Sequence, residues 1–399
     1  MAAAGVVAAL TGGGVAGAAR IPVAGTGTSP AVSSAQADHW GWFFGSKISH
    51  DGDKKLNPTA IQLPDPVVQL GTSNSTQYAL LSNGTVWSWG QGSDGQLGNG
   101  TTGESFTKAV QVQFPAGVQI SFLATDAMPF NTALAVDTKG RAWGWGDNHE
   151  GELCLGNKRS YDVPQELPLT DVTALAGADG HGVYDSQGTV YSCGLNADGV
   201  LGDGSGNPST VPVRVSGLPT GQVTALYSAW ENAGALLSNG TYYDWGYNDQ
   251  GQVGDGKTGR SSDVPYEVRL PTSSPVTKVA EGGSTPQNGQ TIVELANGEL
   301  YAWGNDEYSQ LGDGRTGVQP SPEEVFAPAG VSYAELASGG ATTYGITSSG
   351  AVYAWGYNKE GQVGDGTTKT AVTPVEVDSG ASLISSTAGD VTVARGDGF

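Results

Sequence analysis

A chain of 399 residues with 63 glycines, about twice the usual share, holds too many turn formers for a helical protein, and 38% hydrophobic residues are enough for a packed interior. Its 39 acidic side chains against 18 basic ones give a formal charge of −21. That field repels phosphate backbones and anionic membrane surfaces, so nucleic acid is excluded as an expected partner.

The first stretch, MAAAGVVAALTGGGVAGAAR, is apolar and built of small residues; IPVAGTGTSPAVSS follows as a polar spacer, and Ala35-Gln36-Ala37 has the form of a secretory cleavage site. No Lys or Arg precedes the apolar run, so a start upstream of Met1 would be needed to complete a signal peptide. Residues 1–37 are read as signal peptide and spacer, with a disordered tail as the alternative, and 38–399 as the folded domain. The expected location is extracellular, the alternative cytoplasmic. No later run approaches the roughly 18 to 20 apolar residues of a membrane span.

From Asp38 onward one phrase recurs. Trp40-Gly41, Trp89-Gly90, Trp145-Gly146, Cys193-Gly194, Trp245-Gly246, Trp303-Gly304 and Trp355-Gly356 lie 48 to 58 residues apart, a period typical of propellers and arrays. Ahead of each stands alternating sequence broken by a two-residue turn signal. Asn83-Gly84, Asn239-Gly240 and Asn297-Gly298 predict type I′ hairpins, and Lys139-Gly140, Gln187-Gly188 and Ser349-Gly350 are weaker versions. After each Trp-Gly comes a glycine phrase, as in GQLGNG at 95–100 and GQVGDG at 251–256 and 361–366. Pro164, Pro212, Pro265, Pro322 and Pro374 then open a further strand, which their missing N–H assigns to a sheet edge.

Each unit therefore amounts to four short strands, which cannot bury both faces of its sheet unless the units pack radially. The expectation is an all-β, seven-bladed β-propeller with four-stranded blades. The chain ends in a hairpin strand that lacks a Trp-Gly partner, while DHWGWFFG at 38–45 is a Trp-Gly strand that lacks a hairpin. Residues near Asp38 are expected to pair with residues near Val391 and close the ring.

The phrase WGYNKEGQVGDG, the Asn-Gly hairpin and the period near fifty resemble the regulator of chromosome condensation repeats, over nearly all of Asp38 to Phe399. The resemblance implies that the glycines build turns rather than a phosphate cradle, which would need a helix directly afterwards. Family repeats carry a His eight residues before the hairpin Gly; here those places hold Thr76, Thr132, Gly180, Asn232, Gln290, Thr342 and Asp390. Cys193 replaces a Trp, and GELCLGN at 151–157 disturbs the glycine phrase, so the second and third blades are expected to be irregular. The resemblance also implies nucleotide exchange on a small GTPase and nucleosome docking for the founding member. The charge of −21 argues against the second, and no stretch matches the wedge that exchange requires. The GWRHT motif of the related plant photoreceptors is absent.

Chemistry leaves little trace. His39, His50, His149 and His181 fall in different units, and no G-x-S-x-G, H-E-x-x-H or P-loop occurs. SHDGDKKLN at 49–57 fails the calcium-loop template. RGD at 395–397 coincides with the expected closing turn. No catalytic, metal or cofactor residues are assigned, and an enzyme is not expected. Cys154 and Cys193 form one bridge if the protein is exported, or remain two isolated thiols.

What remains is recognition. The residue after each Trp-Gly varies as Trp42, Gln91, Asp147, Leu195, Tyr247, Asn305 and Tyr357, which the repeat places in a ring on one face. Trp42, Tyr247 and Tyr357, with Trp230 in YSAWENAG, are the binding candidates, unless these rings only cap the blade cores. The expected function is a non-catalytic, exported bacterial scaffold, monomeric, for a protein partner or surface ligand. The alternatives are an exchange-factor-like regulator and a secreted inhibitor of a β-lactamase type enzyme.

Overall fold

The computed structural model describes residues 36–41, 55–73, 76–124, 131–178, 180–283, 285, 288–386 and 390–395. The apolar N-terminal stretch, Trp42, most of the 49–57 motif and the Asp397-Gly398 turn lie outside them.

Alternating sequence on either side of a tight turn gives antiparallel strands, and the described chain forms seven four-stranded antiparallel sheets. Six are contiguous in sequence. The first blade contains β3 (Val67–Ser73), β4 (Thr76–Leu81), β5 (Val86–Gly90) and β6 (Ser105–Gln111). The second contains β7 (Ile120–Leu123), β8 (Thr132–Asp137), β9 (Ala142–Gly146) and β10 (Tyr161–Glu166). The third contains β11 (Val172–Ala178), β12 (His181–Ser186), β13 (Thr189–Gly194) and β14 (Ser209–Arg214). The fourth contains β15 (Val223–Ala229), β16 (Asn232–Leu237), β17 (Tyr242–Gly246) and β18 (Ser262–Glu267). The fifth contains β19 (Val276–Gly282), β20 (Gln290–Leu295), β21 (Leu300–Asp306) and β22 (Gly317–Glu324). The sixth contains β23 (Tyr333–Ser338), β24 (Thr342–Thr347), β25 (Val352–Gly356) and β26 (Ala371–Asp378).

The remaining sheet is a composite of both ends, in the order β2 (Lys55–Gln62), β1 (Gln36–Gly41), β28 (Asp390–Arg395), β27 (Ala381–Ser386). Asp38 pairs with Val393 and Trp40 with Val391, the expected pairing of the two ends. The expected number of blades is corrected from seven to six. A Trp-Gly phrase marks the third strand of a sheet rather than a whole blade, and the Trp40-Gly41 strand β1 has no hairpin of its own. It completes a sheet only by borrowing β27 and β28, so six repeats build blades and the composite sheet belongs to no single repeat. First strands lie against first strands, β11 on β15, β15 on β19, β19 on β23, β23 on β27, β27 on β3 and β3 on β7, and β11 lies against β8, which closes the sheets into a ring.

The hairpins are also corrected. At Asn83-Gly84 only the glycine has positive φ, 78°. Gly84 N–H donates to Leu81 O at 2.9 Å and Leu81 N–H to Thr85 O at 2.9 Å, a three-residue loop with a type I turn and a left-handed glycine. Asn83 Oδ1 accepts Thr85 N–H at 2.9 Å, and Asn239 does the same for Thr241 at 2.9 Å, but the same loop forms without an asparagine at Lys139-Gly140 and Ser349-Gly350, where the glycine N–H donates to Asp137 O at 3.0 Å and to Thr347 O at 2.9 Å. Gln187 and Gly188, at φ 55° and 74°, form the two-residue type I′ turn, with Ser186 paired directly to Thr189.

The edge assignment of the prolines holds, but each lies inside its strand rather than opening it. Pro164, Pro212, Pro265, Pro322 and Pro374 sit on β10, β14, β18, β22 and β26, each the last strand of its sheet and each irregular in register with its single neighbour. The core lies between sheets. Trp89, Trp145, Trp245, Trp303 and Trp355 are fully buried, and the cluster around Trp303 joins Ala225 and Tyr227 of the fourth blade to Val279 and Val293 of the fifth. Each indole buries about 150–250 Å², worth about 4–6 kcal/mol as an upper bound.

Candidate binding face

Each Trp-Gly lies on the third strand of a sheet and ends it except in the fifth blade, where β21 continues to Asp306, and its glycine turns the chain onto one face at left-handed φ, for example 92° at Gly146, 105° at Gly246 and 101° at Gly356. A side chain there is forbidden by contact as well: a Cβ on Gly246 would lie 2.1 Å from Glu231 O. That carbonyl, from the loop joining the first and second strands, accepts the N–H of the next residue, Tyr247, at 2.9 Å. Asp147 bonds Asn131 O at 2.9 Å, Leu195 bonds Gly180 O at 2.7 Å, Asn305 bonds Gly289 O at 2.9 Å and Tyr357 bonds Ala341 O at 2.8 Å. The residues after Trp-Gly therefore stand on one face, built from two loops per blade.

These loops are made rigid from within. Asn248 is buried; its Oδ1 accepts Val253 N–H at 3.0 Å and its Nδ2 donates to Asp255 at 3.1 Å. Asn358 repeats the pattern with Val363 at 2.8 Å and Asp365 at 3.1 Å. The fifth blade departs from it: Asp306 stands in the Asn place, facing Asp313. Burial first, and then the neighbouring Asp313 charge, push Asp306 up to about 7. Ser309 in the same loop holds φ 59° where other units have glycine.

The place of the family His is corrected for one blade. The first residue of each second strand pairs with the glycine of Trp-Gly: Thr76 with Gly90, Thr132 with Gly146, Asn232 with Gly246, Gln290 with Gly304 and Thr342 with Gly356. In the third blade that residue is His181, opposite Gly194, and not Gly180. The two-residue turn at Gln187-Gly188 removes one residue from the count. Threonine and asparagine here fasten their own blade's loop, as Thr342 Oγ1 donates to Tyr357 O at 2.8 Å and Asn232 Nδ2 to Tyr247 O at 2.8 Å. His181 and Gln290 reach the next blade, at Ser228 Oγ (2.7 Å) and Ser338 Oγ (2.8 Å).

The expected aromatic residues fall into two groups. Trp230, at φ 44°, and Tyr247 share the fourth blade, linked through Glu231. Tyr357 stacks edge to face on Tyr308 of the fifth blade, ring centres 5.0 Å apart, and both are half-buried. Sequence reasoning missed Tyr308 because it lies three residues beyond Asn305, the glycine-flanking place that drew notice. Trp42 lies outside the described residues. Carboxylates stand beside the rings. Burial and then the charge of Asp198 push Glu231 up to about 7, and Tyr247 Oη donates to Asp249 at 3.0 Å. His149, exposed beside Asp147, is raised by that hydrogen bond and charge. His181 is buried at a blade boundary.

The expected irregularity of the second and third blades shows in the two-residue turn at Gln187-Gly188 and in one contact between them. Both sheets are complete, and Cys154 and Cys193 are bonded to each other across the boundary between them, Cα atoms 5.6 Å apart.

The regulator of chromosome condensation (RCC1) repeat model matches residues 83–125, 139–184, 187–232, 239–285, 297–345 and 349–394. The chain is 26% identical over 359 residues to the ultraviolet-B receptor UVR8 of Arabidopsis thaliana, covering 87% of this chain and 79% of that one. It is 28% identical to the RCC1 domain-containing protein RUG3, mitochondrial, also of Arabidopsis thaliana, covering 74% and 70%. Among solved structures it is similar to Prp20p of Saccharomyces cerevisiae, a protein described with its binding to Gsp1p and histones; the TM-score is 0.76, with 18% identity over 92% of both chains. That likeness shows the fold.

Proposed function

Because the chain belongs to the regulator of chromosome condensation repeat family, we propose that it is a non-catalytic scaffold that binds a protein partner on the two-loop face. The observation that carries this reading is the Tyr308–Tyr357 pair, two half-buried rings from neighbouring blades held edge to face. Aromatic rings held in place by their own scaffold supply contact area at little entropic cost and anchor protein interfaces. Trp230 and Tyr247 extend the same face, and the carboxylates Asp198, Glu231 and Asp249 suit a partner with basic groups. The net charge of −21 favours such a partner throughout the surface. The Cys154–Cys193 bond supports export, because such bonds persist in oxidising compartments.

The test compares the wild-type chain, a Tyr247→Ala/Tyr308→Ala/Tyr357→Ala variant and a Val68→Ser control as immobilised baits in culture fluid of the producing cells. Val68 is exposed near the start of β3, beside Val67, which pairs with Leu81 at the hairpin end of the first sheet. A protein retained by wild type and control but lost from the triple variant supports the assignment. Equal retention by the triple variant rules this face out.

A further inference from the structure

At four of the five boundaries between successive blades, the fourth residue of the glycine phrase in one blade meets the Trp of the next. Measured from where a Cβ would stand, Gly98 is 2.7 Å from Trp145 Nε1, Gly202 is 2.7 Å from Trp245, Gly254 is 2.9 Å from Trp303 and Gly312 is 2.7 Å from Trp355. No side chain fits there while the indole is present. The indole N–H in turn donates to the carbonyl two residues earlier in the phrase: Trp145 to Gln96 O at 2.9 Å, Trp245 to Val200 O at 2.8 Å and Trp303 to Gln252 O at 2.8 Å.

The boundary between the second and third blades replaces both partners at once. Cys154 takes the glycine place and keeps its left-handed backbone, φ 58° beside 65° at Gly98 and 64° at Gly202. Cys193 takes the Trp place, and the two are bonded. Neither change is tolerable alone, since a Cβ at 154 needs the indole gone and an absent indole leaves a void. The carbonyl that an indole would have served, Glu152 O, accepts Tyr184 Oη at 2.8 Å. Gly182 makes room for that hydroxyl, as a Cβ there would lie 2.3 Å from it.

We propose that this boundary is the redox-controlled seam of the ring. With the bond formed it is held as firmly as its Gly–Trp counterparts. With the bond reduced, two small thiols stand where an interlocking indole stands elsewhere, and the blades part here first. Reduction proceeds by attack of a dithiol's thiolate on one sulfur, giving a mixed disulfide. The second thiolate then displaces it, so two electrons pass to the protein, both cysteines become thiols and the dithiol closes to a cyclic disulfide. Cys154 and Cys193 are buried at 1% and 0% exposure, so attack waits on opening of the boundary.

The experiment is hydrogen exchange by mass spectrometry on the full chain, with and without dithiothreitol, beside thermal unfolding. Residues 151–156 and 189–194 report the seam; 251–256 and 299–304 report a Gly–Trp boundary. Reductant should speed exchange at the seam at least tenfold, leave the control boundary unchanged and lower Tm by roughly 4 °C or more. Cys154→Ser/Cys193→Ser should show the fast exchange with or without reductant. Cys154→Gly/Cys193→Trp, which restores the pair of the other boundaries, should be slow and indifferent to reductant; if it does not fold, the serine variant against the oxidised chain decides. Equal exchange at the seam in oxidised and reduced chains, or equal acceleration at both boundaries, overturns the proposal.

Discussion

His181 Nε2 lies 2.7 Å from Ser228 Oγ, and this hydrogen bond ties the third blade to the fourth from a fully buried position. Gln290 Nε2 makes the equivalent bond to Ser338 Oγ at 2.8 Å between the fifth and sixth blades. The same task is done by two side chains of similar reach. His181→Ala takes the imidazole from Ser228 Oγ, which keeps its bond to Asn232 O at 3.2 Å in a buried site, and should cost about 1–3 kcal/mol in urea unfolding. His181→Gln should recover most of that loss. If glutamine is as damaging as alanine, the bond is not what the imidazole supplies.

Two glycines in one loop separate backbone strain from packing. Gly254, φ 70°, would place a Cβ 2.9 Å from Trp303 Nε1, whereas Gly259, φ 81°, would meet nothing within 4 Å. Gly259→Ala should cost about 1–2 kcal/mol from the left-handed backbone alone. Gly254→Ala adds displacement of a buried indole, about 1–3 kcal/mol more. The difference in denaturant midpoint between the two variants measures the interlock directly.

The Asp306–Asp313 pair makes stability depend on pH. Its sign follows from the raised value of Asp306, about 7 in the folded chain against 3.8 for an ordinary aspartate. Folding favours the protonated form, so its contribution is complete below about pH 4 and is lost as pH rises through about 7. Glu152 and Glu281, both buried and both pushed up to about 7, act in the same direction. The protein should therefore unfold at lower denaturant concentration at pH 8 than at pH 5. Asp306→Asn restores the amide that Asn248 and Asn358 use, and should raise stability at pH 8 by about 1–3 kcal/mol while changing little at pH 4. An identical gain at both pH values would show that the carboxylate is not the cause.

The sequence by itself determined the four-stranded unit, the edge position of the prolines, the closing pair of strands near Asp38 and Val391, and the single face that carries Tyr247 and Tyr357. These are properties of short stretches repeated with little change: alternation sets the strands, a missing N–H sets an edge, and a left-handed glycine after tryptophan admits one direction of chain. Asp306 in place of an asparagine was legible in the same way, though its consequence needed Asp313 beside it.

The tertiary structure decided what depends on two distant segments meeting. Six repeats make blades because the remaining Trp-Gly strand finds its partners only at the far end of the chain. The hairpin loops of the first, second, fourth, fifth and sixth blades are three residues long with or without an asparagine, and the one-residue difference from the third blade moved the family place from Gly180 to His181. The pairing of Cys154 with Cys193 and of Tyr308 with Tyr357 joins neighbouring blades. No stretch of sequence encodes such a contact, because it exists only once the sheets have packed and brought side chains from separate repeats within reach.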